Sequence, residues 1–298
     1  MSWVSMRRLG MRVLATLLIV SGLLPRIVSA EERLTHDGAV KTDPVFVDRS
    51  GQELVYVVND LATRFRLMRL RMSDRQVTPV HADETRAEFE PSYSSDGRWT
   101  SYLQSRGNLN LALVVQETTS GGKEFSAVLG GGFSGARSPS LSHNGQQVVY
   151  SYPEEGRQQI YIADYELKTR RSLVDSTGGN NWPSFSPDGK SLLFGSSRDD
   201  DFEIYVAHAD GSQPRRLTHS PGQDVRPRWS PDGRQIAFTS NRDGNYEIYV
   251  MQADGSHPRR VTNHRERDDY ATWHPSGKEL VVVSERNGGH DLYRIEVK

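Results

Sequence analysis

Residues 225–262 read VRPRWSPDGRQIAFTSNRDGNYEIYVMQADGSHPRRVT, and residues 181–218 read NWPSFSPDGKSLLFGSSRDDDFEIYVAHADGSQPRRLT. The two stretches are copies of one unit, because Gly189 and Gly233 occupy the same turn 44 residues apart. With decreasing similarity, the turn recurs at six glycines: Gly51, Gly97, Gly145, Gly189, Gly233 and Gly277. A fixed period in the forties is typical of a propeller or solenoid array.

Each unit contains short runs of strand character separated by turn signals. In the copy quoted first, the four runs are Pro227–Ser230, Gln235–Ser240, Tyr246–Gln252 and Arg259–Thr262. Asp-Gly pairs between such runs predict tight hairpins, since glycine accepts the positive φ that these turns require. The second and third runs are continuously apolar, as expected for strands covered on both faces. The closely spaced Gly, Pro and Asp-Gly signals disfavour the rival interpretation, a helical repeat of similar length.

Six such units predict an all-β protein, a six-bladed β-propeller of four-stranded antiparallel blades. The last unit, from Ala271 onward, contains only three strand runs. Near the start of the chain, Arg33–His36 repeats the sequence of Arg216–His219, which is the fourth strand of an interior unit. We therefore expect Arg33–His36 to pair with Asp291–Val297 and complete the sixth blade, which removes an open sheet edge.

The first 30 residues have the pattern of a secretory signal peptide. Three arginines precede an apolar run from Val13 to Leu24, and small residues end the segment at Ala30. This pattern predicts cleavage after Ala30, a periplasmic or secreted protein, and a propeller over residues 31–298. An uncleaved anchor is the alternative, although the run is shorter than the ~20 apolar residues that a membrane span needs.

Composition limits the classes of partner and the sources of stability. Without the four arginines of the signal, 33 basic residues face 38 acidic ones, a net charge of −5, which is not the basic footprint of a nucleic-acid-binding protein. The chain contains no cysteine. Stability must then come from packing and ring closure rather than from disulfides. We expect one domain and a monomer.

One recurring set of polar residues flanks the hairpin between the second and third strands. An arginine precedes this hairpin and an acid or amide follows it, so the two can pair across it in a mainly structural contact. A metal site in each blade is the alternative, but the spacing differs from that of a calcium loop. The set comprises Arg106, Arg198, Arg242 and Arg286 with Asn110, Glu203, Glu247 and Asp291.

Two more sets precede the proline (or Ala271) of each first strand run. Three residues before it lie Lys41, Glu88, Ala136, Asn180, Asp224 and Asp268. One residue before it lie Asp43, Glu90, Ser138, Trp182, Arg226 and Tyr270. Because these positions come just before the innermost strand of every blade, we expect both sets to surround one mouth of the central channel, where loops converge on a concave site.

From these sets we predict a ligand- or partner-binding site at the mouth. Carboxylates and an amide can hold a divalent cation or a cationic partner group, whereas Trp, Tyr and Arg are enriched at interface hot spots. The alternative is that acidic residues merely keep the mouth solvated. The predicted site is Glu88, Glu90, Asn180, Trp182, Asp224, Arg226, Asp268 and Tyr270.

A metal site is a weaker hypothesis. His219 and His264 follow equivalent fourth strands, near the loops that lead into the next blade. Together with Asp224 and Asp268 they have the ligand types of a transition-metal site, but their spacing matches no specific metal motif. We therefore expect no cofactor, with a divalent cation as the alternative.

The repeat resembles that of the TolB-type propeller family. The resemblance rests on Ser186-Pro187-Asp188-Gly189, Glu203-Ile204-Tyr205-Val206, Ala209-Asp210-Gly211 and Arg216-Leu217-Thr218, with a closer copy from Ser230 to Thr262. It implies a periplasmic six-bladed propeller whose channel mouth binds a partner protein, which in TolB is the peptidoglycan-associated lipoprotein. TolB also has an α/β domain before its propeller, for which we expect no counterpart here. Similar repeats form the propellers of prolyl-oligopeptidase-like enzymes and of oligogalacturonate lyases.

Two functions remain open at this stage. The leading hypothesis is a non-catalytic binding module that docks a peptidoglycan-associated lipoprotein-like protein or another envelope ligand at its mouth. It is favoured because residues 132–135, Gly-Phe-Ser-Gly, do not form the G-x-S-x-G motif of a serine nucleophile. The alternative is a metal-assisted polysaccharide lyase or hydrolase of the oligogalacturonate-lyase type, which would use the histidines and acids of the mouth.

Overall fold

A computed structural model describes residues 31–61, 64–107, 110–130 and 135–298, although not the side chains of residues 60 and 61. The predicted signal peptide lies outside these residues. The described chain forms twenty-four strands in six four-stranded antiparallel sheets. Within this part of the chain, no helix is long and apolar enough to span a membrane.

The first half of the chain contains the N-terminal strand and three blades. The N-terminal strand is β1 (Glu31–Arg33). Blade 1 consists of β2 (Val40–Phe46), β3 (Glu53–Leu61), β4 (Arg64–Arg71) and β5 (Val77–Pro79). Blade 2 consists of β6 (Glu88–Tyr93), β7 (Trp99–Ser105), β8 (Leu111–Glu117) and β9 (Glu124–Val128). Blade 3 consists of β10 (Arg137–Leu141), β11 (Gln147–Glu154), β12 (Arg157–Asp164) and β13 (Arg170–Val174).

The second half contains the more regular blades. Blade 4 consists of β14 (Asn180–Phe185), β15 (Ser191–Ser196), β16 (Glu203–His208) and β17 (Arg215–Arg216). Blade 5 consists of β18 (Asp224–Trp229), β19 (Gln235–Ser240), β20 (Glu247–Gln252) and β21 (Arg259–Arg260). Blade 6 consists of β22 (Asp268–Trp273), β23 (Glu279–Arg286) and β24 (Gly289–Glu296), with β1 as its outer strand. The predicted six-bladed propeller is confirmed.

The turn between the first and second strands explains the repeating Ser-Pro-Asp-Gly signal. In blade 4 the Ser186 hydroxyl donates to the Asp188 carboxylate, which also accepts the backbone N–H of Lys190. Gly189 adopts a φ of 70°, and the other five turn glycines have φ between 68° and 70°. This conformation is costly for residues with a Cβ, so the glycine is required at this position.

The hydrophobic core lies between neighbouring sheets. Between blades 4 and 5, for example, Leu193 and Ile204 pack against Ile236 and Phe238, and all four are fully buried. This two-sided burial explains why the second and third strands are continuously apolar, as the sequence predicted for them.

The ring is closed by pairing of the two ends of the described chain. β1 pairs antiparallel with β24, and the backbone N–H of Leu34 donates to the carbonyl of Leu292 at 2.8 Å. The Leu34 side chain is only 2% exposed. Closure by the N-terminal strand is therefore confirmed, although the strand ends at Arg33 and not at His36.

A buried acid fastens this closing strand. Asp291 on β24 accepts hydrogen bonds from the guanidinium of Arg33 and from the hydroxyl of Thr35. Blades 4 and 5 use the same arrangement. Glu203 accepts hydrogen bonds from Arg216 and Thr218 in blade 4, and Glu247 accepts them from Arg260 and Thr262 in blade 5. We call this three-residue arrangement the clasp.

Loss of the Leu34 side chain should weaken ring closure. Leu34→Ala is expected to lower the free energy of unfolding by roughly 2–5 kcal/mol, because it opens a cavity between β24 and blade 1. Val40→Ala is the control, since Val40 is 44% exposed and its truncation should cost about 0.5 kcal/mol or less. Urea denaturation measures both, and equal losses would contradict the closure argument.

Every first strand carries a β-bulge. The pairing register shifts by one residue at the same place in all six blades. The bulged residue adopts a left-handed conformation with φ between 50° and 55° in each case: Asp43, Glu90, Ser138, Trp182, Arg226 and Tyr270. Left-handed backbone costs of order 1–3 kcal/mol for a residue other than glycine. We call these six residues the bulge ring.

Relief of this strain should be measurable at Ser138, which has the smallest side chain of the ring. Ser138→Gly is expected to raise the free energy of unfolding by up to about 1 kcal/mol, since glycine adopts positive φ freely. Ser140→Gly, two residues further along the same strand, should lower it by roughly 0.5–1 kcal/mol. Thermal unfolding of the two variants gives the sign of each change in the free energy of unfolding. A lower free energy of unfolding for both variants would show that the bulge is not strained.

Candidate functional site

The central channel has two ends. We call the end at which the first strands begin the entry mouth, and the end at which they reach the glycine turns the turn mouth. The bulge ring lies on the inner strands between the two. Bulges redirect side chains and are common next to functional sites. Here the six bulges lie on the six strands that surround one channel.

Blades 4, 5 and 6 contribute a stacked cluster to the bulge ring. The Arg226 guanidinium lies 4.3 Å from the ring centroid of Tyr270 and 5.4 Å from that of Trp182. It also donates to the Tyr270 hydroxyl at 3.2 Å and pairs with Asp269 at 3.2 Å. Gly195 makes room for Trp182, since a Cβ there would lie 2.8 Å from the indole. Arg226 is therefore fully engaged by its neighbours.

Blades 1 and 2 contribute two acids to the same ring. Burial, together with the neighbouring charge of Asp43, raises the pKa of Glu90 to about 7. Burial also raises the pKa of Asp43. Glu90 accepts the backbone N–H of Ser138 and lies 3.5 Å from the guanidinium of Arg137. The ring is thus acidic on one side and aromatic and cationic on the other.

A second ring follows immediately after the prolines. It consists of Val45, Ser92, Ser140, Ser184, Arg228 and Thr272. All six line a cavity of about 300 Å³ that extends from Asp43, Glu90 and Ser138 to the prolines of the turn mouth. Arg228 is the one charged member of this ring. The principal channel cavity therefore lies on the turn-mouth side of the bulge ring.

The other half of the predicted site is buried. Glu88, Asn180, Asp224 and Asp268 are at most 2% exposed. Each is the first residue of its strand, because the first strands begin three residues earlier than the sequence suggested. Their side chains are covered by protein at the entry-mouth end of the blades, and a role for them in binding stays a prediction.

Three of these four residues have evident structural partners. Asp224 pairs with Arg242 at 2.6 Å, and Asn180 accepts a hydrogen bond from Arg198 at 3.1 Å. Glu88 lies 2.8 Å from Nδ1 of His81. The members of the bulge ring, by contrast, are half-buried and lie along the channel, so Glu90, Trp182, Arg226 and Tyr270 remain as the candidate site.

The hairpin arginines also pair differently from our prediction. They contact the start of the first strand of their own blade, as Arg198 and Arg242 do, or another acid, as Arg286 does with Glu31 at 2.8 Å. The acids that follow the hairpin belong to the clasp instead. The sequence contains the arginines and the acids, but their spacing did not reveal that they belong to two separate networks. The arginines bind the start of the first strand or another acid, and the acids belong to the clasp.

Because Arg286 binds Glu31, Asp268 lacks the arginine that its counterpart Asp224 has. Neither carboxylate oxygen of Asp268 makes a hydrogen bond of ordinary geometry, although the hydroxyls of Ser284 and Thr262 are near enough to favour its charged form. Burial raises the pKa of Asp268 to about 6. The side chain is fully buried, so its charge is a cost to the fold.

Asp268→Asn should stabilise the protein in a pH-dependent way. Because the folded-state pKa is raised from 3.8 to about 6, the contribution of Asp268 to wild-type stability is fully present below pH 4 and is lost as the pH rises through 6. The variant should therefore match the wild type at pH 4 and exceed it by roughly 2–3 kcal/mol at pH 8. Asp224→Asn, which breaks the pair with Arg242, should destabilise at pH 8. Unfolding curves at pH 4 and pH 8 measure the stability of each variant relative to the wild type. Stabilisation by Asp224→Asn would contradict this interpretation.

The structure does not group the four predicted metal ligands. His219 is exposed, the half-buried His264 accepts the backbone N–H of Glu266 through Nδ1, and Asp224 and Asp268 are buried inside their blades. Among residues 31–61, 64–107, 110–130 and 135–298, no three His, Cys, Asp or Glu side chains are placed to hold one metal ion. Metal binding stays a prediction.

Sequence reasoning missed the second ring, including Arg228 and Ser184. A signal was present, since Arg228 replaces the uncharged residue that follows the proline, or Ala271, in the other five units. We interpreted the residues before the proline as a loop. For that reason we did not use the alternation of side chains along the strand to predict which residues after the bulge line the channel.

The TolB beta propeller domain family matches residues 132–298 of the chain. A protein assigned as a TolB from Agrobacterium tumefaciens is 28% identical, with 72% of this chain and 76% of that chain covered and a TM-score of 0.62. TolB from Acinetobacter baumannii is 20% identical over 83% of this chain and 64% of that chain, also with a TM-score of 0.62. No curated protein matches the chain at a significant level.

An enzyme has a similar fold. An oligogalacturonate lyase in complex with manganese is 13% identical, with 91% of this chain and 93% of that chain covered and a TM-score of 0.62. At this identity the similarity describes the propeller and not its chemistry.

Proposed function

The chain belongs to the TolB β-propeller domain family, and we propose that it is an exported, non-catalytic binding module that docks an envelope protein at its central channel. The proposed partner is a protein of the peptidoglycan-associated lipoprotein type. The apolar and arginine-containing N-terminal segment supports export.

One observation carries the proposal: the bulge ring brings Glu90, Trp182, Arg226 and Tyr270 to one channel in a backbone conformation that is costly for each of them. Strain of this kind persists where the surrounding structure holds it, and it is concentrated at binding sites. Trp, Tyr and Arg are also the residue types that most often contribute the largest share of binding energy at protein interfaces.

A second function is a metal-assisted polysaccharide lyase, supported by the similar fold of the manganese-bound oligogalacturonate lyase. The acids Asp43 and Glu90 have oxygen ligands suited to a hard cation. We rank it second, because Asp43 is also approached by Arg226 and Arg228, and the third acid nearby, Asp269, is itself paired with Arg226. Among the described residues no three His, Cys, Asp or Glu side chains are placed to hold one metal ion.

The test is a titration with a purified partner. The periplasmic domain of the peptidoglycan-associated lipoprotein from the same organism should bind the protein lacking residues 1–30, as measured by isothermal calorimetry. Tyr270→Ala should weaken binding at least tenfold, because it removes the aromatic face that supports Arg226. Tyr165→Ala, which removes the same atoms between β12 and β13, should bind as the wild type does.

Two results would overturn the proposal. The first is equal binding by Tyr270→Ala and Tyr165→Ala, with both variants folded by thermal unfolding. The second is turnover of oligogalacturonate in the presence of manganese, detected as ultraviolet absorbance of an unsaturated product.

A further inference from the structure

Arg228 is held in the channel without an acidic partner. Its one hydrogen bond to a described residue runs from Nη1 to the carbonyl of Pro227 at 3.2 Å. Burial lowers the pKa of this guanidinium, and the more distant charges of Asp43 and Glu90 partly offset that effect. A guanidinium has five N–H donors, so most of the binding capacity of Arg228 faces the cavity unused.

Comparison with Arg226 shows that the lack of an acidic partner is a feature of Arg228 and not of every arginine in the channel. Arg226, two residues earlier on β18, has a carboxylate, a phenol hydroxyl and two aromatic faces around it. Removing a charged group from water without a partner is expensive. Arg228 therefore imposes a cost on the fold that the neighbouring arginine does not.

Other donors lie along the same cavity without partners. The Ser184 hydroxyl, on a residue that is only 9% exposed, makes no hydrogen bond to any described residue. The indole N–H of Trp229 is also unpartnered, whereas the equivalent Trp273 donates to the carbonyl of Arg228 at 3.2 Å. Both Ser184 and Trp229 line the cavity. These two atoms are covered by protein, so Arg228 is the donor group that faces the cavity itself.

We propose that this cavity is a carboxylate-binding site, in which Arg228 anchors an acidic group of the bound partner. The inference extends the proposed binding function by naming the chemistry that enters the channel. The planar fork of Arg228 matches a carboxylate bidentately.

The surroundings favour a carboxylate over a phosphate. Asp43 and Glu90 lie at the bulge-ring end of the cavity, where they repel a doubly charged anion more strongly than a singly charged one. The rest of the second ring is small, with Ser92, Ser140 and Thr272 around the space in front of Arg228. A cavity of about 300 Å³ admits one acidic side chain or a small acid rather than a folded segment.

The test compares isosteric probes in a ligand-observed NMR titration of the protein lacking residues 1–30. N-acetylglutamate should bind at least tenfold more tightly than N-acetylglutamine, and the preference should vanish in Arg228→Gln. Arg234→Gln is the control, because Arg234 is exposed on the glycine turn outside the cavity, and it should leave the preference intact. Glucuronate against glucose identifies the source of the acid: tighter binding of glucuronate than of N-acetylglutamate would assign a sugar acid instead of a protein side chain.

The melting temperature separates a binding role from a structural one. Arg228→Gln breaks no ion pair, so it should melt at or above the wild-type temperature; a clear loss of stability would assign Arg228 to the fold. Arg228→Lys keeps the charge but not the fork, and should retain part of the preference. Equal binding of all four probes, or no binding of any, overturns the site. Lipoprotein binding that is unchanged in Arg228→Gln would reject this site while leaving the proposed function standing.

Discussion

The clasp is the interaction on which the remaining structure depends. A carboxylate at the start of the third strand is desolvated completely, and this is tolerable only because a guanidinium and a hydroxyl from the fourth strand are bound to it. Glu203 and Glu247 fasten strands that follow them in sequence. Asp291 performs the same task with Arg33 and Thr35, which are more than 250 residues away. The same interaction that holds the third and fourth strands of one repeat together therefore also closes the ring.

Closure in turn allows strain to be kept at the channel. Each bulge of the bulge ring forces a residue with a side chain into a left-handed conformation, and a single sheet would relax by shifting its register. In a closed ring the sheet is packed on both faces, so the register cannot slip without moving the buried residues of both neighbouring blades. The strain is therefore maintained by the packing between blades, and six side chains converge where a flat strand would direct them into the inter-blade core.

The repeat predicted much of this from sequence, because hairpin turns and two-sided burial leave local signals. Blade number, the turn glycines and closure of the last blade by the N-terminal strand, which was predicted at Arg33–His36 and lies at Glu31–Arg33, all follow from such signals. The candidate site followed only in part. Trp182 and Arg226 lie together in the bulge ring, whereas Asp224 and Asp268 are buried within their blades, and binding at these residues stays a prediction. The start of a strand has no turn residue to mark it here, and an acid that binds an arginine inside a blade looks, in sequence, like an acid in a solvated loop.

The departures from the repeat contain the most information about function. In an ideal array each charged side chain would be satisfied in the same way in every blade, as the clasp is in blades 4, 5 and 6. Asp268 departs from this because its arginine binds Glu31, and that difference is accounted for by the closure of the ring. Arg228 departs without any such compensation: the other five blades place an uncharged residue at its position, and no described acid forms an ion pair with it, although Asp43 and Glu90 act on it from a distance. We therefore attribute this charge to a group that arrives from outside, and the recognition chemistry that we propose lies inside the channel and not at its rim.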